Sequence, residues 1–274
     1  MNDPVHVGSP ICLTIAGFDP SGGAGVIADC QTFTAFNCIP TAAVTTLTFQ
    51  NDRAVMGASH QSGETVLQQI RAITANCDIA AVKTGLLPTP EIVHEVGELF
   101  RRIRLPSPVV DPVLQSSSGF QLMEVNAVAV LLSELMPLAC VITPNIAEAE
   151  QLTGLEINDE NGMREAARNL RELGARAVLI KGGHLKQGPS LGHQQSEAKS
   201  QAIDILDDGG TITVFRGEWI DGPPLRGTGC ILSAAIASGL ANGSTLKEAV
   251  RCAKEFVAQT IRQSSKLVVS SNPV

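Results

Sequence analysis

The sequence predicts an α/β protein of three layers, in which helices cover both faces of a mostly parallel sheet that carries an antiparallel hairpin at one edge. Short, nearly continuous apolar segments alternate with segments of helical periodicity along the whole chain, as expected for buried parallel strands joined by helices. A glycine turn, Asp207–Gly210, separates the strand-like segments Ile203–Leu206 and Thr211–Phe215 and predicts the hairpin.

Six segments have the length and composition of buried parallel strands. They are Ile11–Ala16, Ala42–Phe49, Ile79–Lys83, Pro108–Asp111, Cys140–Thr143 and Ala177–Lys181. Among the helical segments between and after them, Thr89–Pro90 predicts a helix start with an N-cap and a proline at the first helical position. A late amphipathic stripe runs from Leu246 to Ile261, and the polar segment Lys186–Gln201 is a candidate lid loop.

The composition favours a folded protein without nucleic-acid partners. The chain has 274 residues, of which 44% are hydrophobic and 17% charged, and this is enough apolar material for a packed core. Its net charge of −7, its 3% aromatic content and its lack of Tyr argue against a nucleic-acid-binding surface. Since no linker or repeat divides the chain, we expect one domain over residues 1–274, with about 1–10 and 264–274 flexible.

The seven cysteines are scattered and contain no C-x-x-C pair, so neither a disulfide framework nor a zinc cluster is indicated. The first apolar run, Ile11–Gly17, is too short to span a membrane, and no basic residue precedes it as in a signal peptide. We therefore expect a soluble, cytoplasmic protein with no membrane partner.

The segment Arg226–Cys230, with the sequence RGTGC, precedes a helix of small residues. Its two glycines allow a tight turn, and the free N–H groups that open a helix suit a phosphate. A thiol in such a turn should have a pKa below the ~8.5 of a free thiol, which makes Cys230 a candidate reactive group. The alternative is a glycine-rich helix start with a small core cysteine, and taken alone the segment favours it.

Polar residues end several of the predicted strands. Asn145 and Glu148 are three residues apart and can hold a hydrated Mg²⁺, or they can equally well form an N-cap and its capping carboxylate. Asp111 and Lys181 end two other strands, and Gln50 offers an amide that can read a polar heterocycle. Ordinary turn chemistry explains each of them singly, but together they predict a ligand site at the carboxyl edge of the sheet.

Gly23–Ala28 reads GAGVIA and matches the G-x-G-x-x-A pattern of dinucleotide-binding proteins, so an NAD enzyme is an alternative. That pattern should follow its strand directly, whereas Gly17–Gly22 intervene here. A P-loop pattern is absent from the sequence.

Five segments resemble, in order and spacing, the hydroxymethylpyrimidine/phosphomethylpyrimidine kinases of thiamine biosynthesis, in the ribokinase-like superfamily. Their sequences are LTIAGFDPSGGAGVIADCQTF, VVDPVLQSSSG, TPNIAEAEQLTG, VLIKGGHL and RGTGCILSAAIA. The resemblance extends from Leu13 to about Arg262. It implies a ribokinase-like α/β/α domain that uses ATP and Mg²⁺ to phosphorylate 4-amino-5-hydroxymethyl-2-methylpyrimidine, its monophosphate, or both, and it suggests a homodimer.

The resemblance also implies roles for individual residues. The substrate pocket is assigned to Gln50, Gly17, Asp29 and Leu86. The catalytic anion hole is assigned to Gly227, Thr228, Gly229 and Cys230. ATP and its phosphates are assigned to Lys181, Asn145 and Arg226, and Mg²⁺ to Asp111 and Glu148.

Two departures from the family pattern keep alternatives open. Arg226 replaces the usual histidine before GTGC, and the last residues, 264–274, differ from the family's ending. One alternative is a pyridoxal-type vitamin kinase, since such enzymes share the fold and the anion hole. The other is a catalytically weak pyrimidine-binding protein.

Overall fold

The computed structural model describes residues 8–116, 119–183, 201–220 and 225–270, with side chains to residue 264. One sheet contains the nine strands of this part of the chain. They are β1 (Ile11–Phe18), β2 (Ile39–Gln50), β3 (Val55–His60), β4 (Ile79–Thr84), β5 (Val109–Val110), β6 (Val141–Ile142), β7 (Ala177–Gly182), β8 (Gln201–Asp208) and β9 (Thr211–Glu218). Their order in the sheet is β3-β2-β1-β4-β5-β6-β7-β8-β9.

The six strands from β2 to β7 in this order run parallel to one another, which confirms the predicted parallel centre. The hairpin of β8 and β9 lies at one edge and is antiparallel, also as predicted. At the other edge, β3 pairs antiparallel with β2, and the sequence analysis did not anticipate this strand. The sheet is therefore antiparallel at both edges.

Eight α-helices in the described part of the chain connect or follow these strands. They are α1 (Gly25–Ala35), α2 (Gly63–Thr74), α3 (Pro90–Arg102), α4 (Val125–Val130), α5 (Ile146–Thr153), α6 (Glu160–Glu172), α7 (Thr228–Ala241) and α8 (Leu246–Ser270). The chain continues from α4 through a π-helical and a 3₁₀ turn as far as Leu138. Helix α8 extends to Ser270, so the backbone at 264–270 is helical where we expected a flexible end.

The side chains of successive strand residues point to opposite faces of the sheet. The core therefore has two halves, one on each face. Leu13, Val110 and Ile142 pack in the half that α2, α3 and α6 cover. Val109 and Val141 pack in the half that α1, α7 and α8 cover. The three-layer prediction is confirmed.

Within the described residues, none of the helices combines the length and apolar character needed to cross a membrane. The candidate lid, Lys186–Gln201, lies outside these residues except for Gln201, which begins β8.

Replacing Thr89 by alanine should lower the free energy of unfolding by about 1 kcal/mol. The Thr89 Oγ1 atom accepts a hydrogen bond from the Ile92 N–H (3.3 Å) at the start of α3, and alanine leaves that N–H without its cap. Urea denaturation measures the change. Thr89→Ser keeps the hydroxyl and serves as the matched control; equal losses in the two variants would contradict capping as the cause.

Candidate active site

The carboxyl ends of the parallel strands meet beneath the first turn of α7. Gly227 caps this helix with a left-handed backbone (φ +74°), and a side chain there would clash with the Gly23 carbonyl oxygen. The first helical hydrogen bond runs from the Ile231 N–H to the Gly227 oxygen (2.9 Å), so the N–H groups of Thr228, Gly229 and Cys230 have no acceptor within the helix. This turn has the form of an anion hole.

Asp111 and Lys181 form an ion pair directly below this turn. The Lys181 Nζ atom donates to Asp111 Oδ1 at 2.8 Å, and a Cβ atom at Gly229 would lie 3.1 Å from the same nitrogen. Thr143 also donates to Asp111 Oδ1 (3.1 Å), and Ser233 of α7 donates to its Oδ2 atom (3.3 Å). Burial alone would raise the pKa of Asp111, but Lys181 and Lys83 hold it below its usual value.

Asn145 and Glu148 form a capping box at the start of α5, the second of the two alternatives that the sequence left open. The Asn145 side chain accepts from the Glu148 N–H (2.9 Å), and the Glu148 carboxylate accepts from the Asn145 N–H (2.8 Å). Burial raises the pKa of Glu148 to about 7, and Asp111 adds to the rise while Lys181 opposes it. Glu148 therefore faces the same charge cluster as Asp111.

The two carboxylates of the site are suited to Mg²⁺, which also binds water and phosphates, and less suited to a metal ion coordinated by protein side chains alone. Within the described residues, no group of three or more His, Cys, Asp or Glu side chains is arranged to hold a metal ion. Asp111 and Glu148 supply two carboxylates to one region: burial raises the pKa of Glu148, and the negative charge of Asp111 adds to that rise. Mg²⁺ is commonly bound by one or two carboxylates together with water and substrate phosphates.

A second ion pair, fully buried, lies under the site. The Lys83 Nζ atom donates to Asp29 Oδ2 (2.7 Å), which also accepts from Thr14 Oγ1 (2.6 Å), and both charged side chains have 0% exposure. Burial disfavours the charged ammonium, but Asp29, Cys230 and Asp111 together raise the pKa of Lys83 above its usual value. Asp29, assigned to the substrate pocket, thus contacts Thr14 and Lys83.

The prediction of an acidic thiol at Cys230 was wrong. Burial raises the pKa of Cys230 to about 11, and the nearby Lys83 ammonium offsets only part of this rise. The sequence indicates the helix start, which lowers a thiol pKa, but it does not show that folding removes water from around the sulfur, which raises that pKa. The thiol is therefore protonated at neutral pH, with Asp29 and Asp111 also disfavouring a negative charge there.

Gly17 and Leu86 lie next to each other and form the apolar side of the candidate pocket. A Cβ atom at Gly17 would lie 3.2 Å from Leu86 Cδ2, so the pair is in close contact. Gln50, at the end of β2, is held by Arg226, whose Nη2 atom donates to Gln50 Oε1 at 2.8 Å. We expected Arg226 to contact phosphate; among protein groups, its guanidinium donates to Gln50 and to the backbone carbonyl of Asn51.

The glycine segment after β1 does not form the strand–turn–helix of a dinucleotide site. Strand β1 ends at Phe18 and α1 begins at Gly25, so six residues separate them. Gly23 lies against Arg226 and Gly227, and a Cβ atom on it would be 3.9 Å from the Arg226 Cβ atom. This segment supports the start of α7 instead.

Three residues near the site were not predicted: Lys83, Thr143 and Ser233. A lysine near the end of an apolar strand is a detectable signal, because Lys is rarely buried without a partner. Thr143 also ends a predicted strand beside Asp111. Ser233 had no comparable signal, since its contact with Asp111 depends on how α7 crosses the sheet.

Alkylation of Cys230 by iodoacetamide should rise about 100-fold between pH 7 and pH 9, because the thiolate fraction grows tenfold per unit below the pKa. Peptide-resolved mass spectrometry measures the rate. The same peptide in urea-unfolded protein is the control and should level off near the pKa of a free thiol. Identical pH profiles in the folded and unfolded protein would contradict the raised pKa.

Known proteins provide an independent comparison. The family model for phosphomethylpyrimidine kinase matches residues 19–274. The hydroxymethylpyrimidine/phosphomethylpyrimidine kinase of Rhizobium meliloti is 40% identical over 260 residues, which cover 94% of this chain and 93% of that protein. The thiamine biosynthesis bifunctional protein ThiED of Geobacter sulfurreducens is 40% identical over 262 residues, and this chain spans 51% of its length.

Among solved structures, this chain is similar to the ADP complex of Bacillus subtilis pyridoxal kinase, with a TM-score of 0.79 and 36% sequence identity. The superposition covers 91% of this chain and 90% of the kinase chain. This likeness confirms the ribokinase-like fold that the sequence motifs implied. With a family model that matches most of its length and a relative 40% identical over more than nine tenths of both chains, the chain belongs to the phosphomethylpyrimidine kinase family.

Proposed function

We propose that the chain transfers the γ-phosphoryl group of ATP to the hydroxymethyl group of 4-amino-5-hydroxymethyl-2-methylpyrimidine, to the phosphate of its monophosphate, or to both. The observation that carries this proposal is the hydrogen bond of Arg226 to Gln50 (2.8 Å). Because Arg226 immediately precedes the turn at 227–230, this bond supports a single site in which Gln50 reads the heterocycle and that turn binds the phosphate. Family membership supports the same reaction.

In the proposed reaction, the substrate hydroxyl oxygen attacks the γ-phosphorus, the bond to the ADP oxygen breaks, and the hydroxyl proton is released. Phosphoryl transfer depends mainly on positioning and on neutralising the charge of the transferring group. The amides of Thr228, Gly229 and Cys230 and the Lys181 ammonium are the groups that neutralise it. Gln50, Gly17 and Leu86 position the heterocycle.

Asp111 and Glu148 are the residues that would hold Mg²⁺ beside the phosphates. When bound, the ion supplies positive charge to the phosphate oxygens. Lys181, paired with Asp111, keeps that carboxylate ionised and oriented at the edge of the sheet.

Cys230 rests as a thiol, because its pKa is raised to about 11. Before it can act as a base it must lose this proton to water, and the resulting thiolate then accepts the hydroxyl proton and becomes a thiol again. Lys83 is the main group that lowers the thiol pKa against burial, so we assign it the role of stabilising this minor thiolate form.

A pyridoxal-type kinase is the second candidate, favoured by the structural likeness to the Bacillus subtilis pyridoxal kinase. Competition between hydroxymethylpyrimidine and pyridoxal, with Mg-ATP and kcat/KM for each, distinguishes the two. Mass spectrometry of the pyrimidine products separates monophosphate from diphosphate. Ligand binding without ADP release for either substrate would favour the non-catalytic binding protein instead.

Gln50→Ala should raise KM for hydroxymethylpyrimidine at least tenfold, and Cys230→Ala should lower kcat about 100-fold, the usual contribution of a proton-accepting group. A coupled ADP-release assay measures both constants. Gln68→Ala, on α2, and Cys77→Ala, beyond the end of α2 and before β4, are the matched controls. Unchanged kinetics in both site variants would refute the assignment of the site.

Lys83→Met should destabilise the protein by about 3–5 kcal/mol, because it leaves the Asp29 carboxylate buried without its partner. The double variant Asp29→Asn, Lys83→Met removes both charges and should recover much of this loss while kcat stays at least tenfold low. Urea denaturation and the ADP-release assay test the two parts. A stable double variant with full kcat would show that the pair serves stability alone.

A further inference from the structure

The guanidinium of Arg226 connects three segments of the candidate cleft. It donates to the Gln50 side chain (2.8 Å) and to the Asn51 carbonyl oxygen at the end of β2, and it lies 3.7 Å from Asp19 Oδ2 in the segment after β1. Asp19 is 1% exposed, and its Oδ2 atom has no hydrogen-bond partner among the described residues. Arg226 is thus the positive charge beside an otherwise unpaired, buried carboxylate oxygen.

These contacts fix the orientation of the Gln50 carboxamide. A guanidinium has only donors, so it can face the oxygen of an amide but not its nitrogen. With Oε1 turned toward Arg226, the Nε2 atom and its two N–H donors point away from Arg226. The assignment of oxygen and nitrogen, often ambiguous for a glutamine, is therefore determined by the partner.

We propose that Arg226 is a specificity-determining positioning residue, which holds the N–H donors of Gln50 toward the bound heterocycle so that the protein selects a ring with an unprotonated acceptor nitrogen. This inference rests on the proposed role of Gln50 in substrate binding. Arg226 acts through Gln50, and its effect belongs to recognition of the ring, not to ATP.

The proposal differs in a measurable way from a phosphate contact by Arg226. If the guanidinium positions Gln50, its loss affects KM for the heterocycle and leaves KM for ATP unchanged. If it binds phosphate, its loss affects KM for ATP or kcat, because the contact then belongs to the transferring group.

The experiment measures KM for hydroxymethylpyrimidine, KM for ATP and kcat in Arg226→Ala and Arg226→Lys. Arg226→Ala should raise KM for the pyrimidine about tenfold, comparable to the loss of one hydrogen bond. Arg226→Lys keeps the charge and one donor nitrogen but not the planar guanidinium, and should recover part of the loss. A change confined to KM for ATP or to kcat would overturn the proposal.

Gln50→Glu is the matched control for the direction of the amide. The carboxylate keeps an acceptor for Arg226 but has no N–H donors, so pyrimidine binding should weaken at least as much as in Arg226→Ala. Binding of the pyrimidine and of its analogues with one ring nitrogen replaced by CH, followed by calorimetry, completes the test. The wild type should discriminate against at least one analogue, and Arg226→Ala should lose most of that discrimination.

The outcomes separate this inference from the proposed function. Wild-type kinetics in Gln50→Ala would remove the site assignment itself. An impaired Gln50→Ala with an unaffected Arg226→Ala would leave the site in place and overturn only the role of Arg226. Full pyrimidine affinity in Gln50→Glu would also overturn it, because recognition would then not depend on the N–H donors.

Discussion

Charge balance among buried side chains is the constraint on which this site depends. Asp29 pairs with Lys83, and Asp111 pairs with Lys181, beneath the half-exposed opening turn of α7. Removing one member of such a pair leaves an uncompensated charge out of water, which costs far more than the net stabilisation from the intact pair. The fold must therefore keep each pair together, and in the proposed function the Lys181 ammonium of the second pair is one of the charges that a phosphoryl group meets.

The sheet provides the required positions through very short central strands. Strands β5 and β6 have two residues each, so Asp111 and Thr143 follow immediately where these strands end side by side. Helix α7 then crosses above them, and Ser233 on its second turn reaches Asp111. A longer strand at either position would move the carboxylate away from the helix start. The register of these strands thus determines where Asp111 and Thr143 lie beneath the start of α7.

Much of this arrangement could be predicted from the sequence, because apolar strands and helix caps leave local patterns. The parallel strands and the residues at their carboxyl ends are examples. Strand β3 escaped prediction because its sequence, VMGASH, is too mixed in polarity to stand out. The pKa of Cys230 was misjudged because desolvation depends on everything packed around the sulfur, whereas the helix start that lowers it is local.

A protonated Cys230 fits the electrostatics of the proposed reaction better than a resting thiolate. Beyond the effect of burial, Asp29 and Asp111 raise the pKa of this sulfur, and the phosphates of bound ATP would also repel a negative charge there. A thiol adds no charge to this cluster while substrates bind. To accept the hydroxyl proton, the sulfur must first lose its own proton to water, and the Lys83 ammonium, whose own pKa is raised by the same carboxylates, stabilises the thiolate that remains. Lys83 therefore allows Cys230 to accept a proton, which the start of α7 alone would not allow.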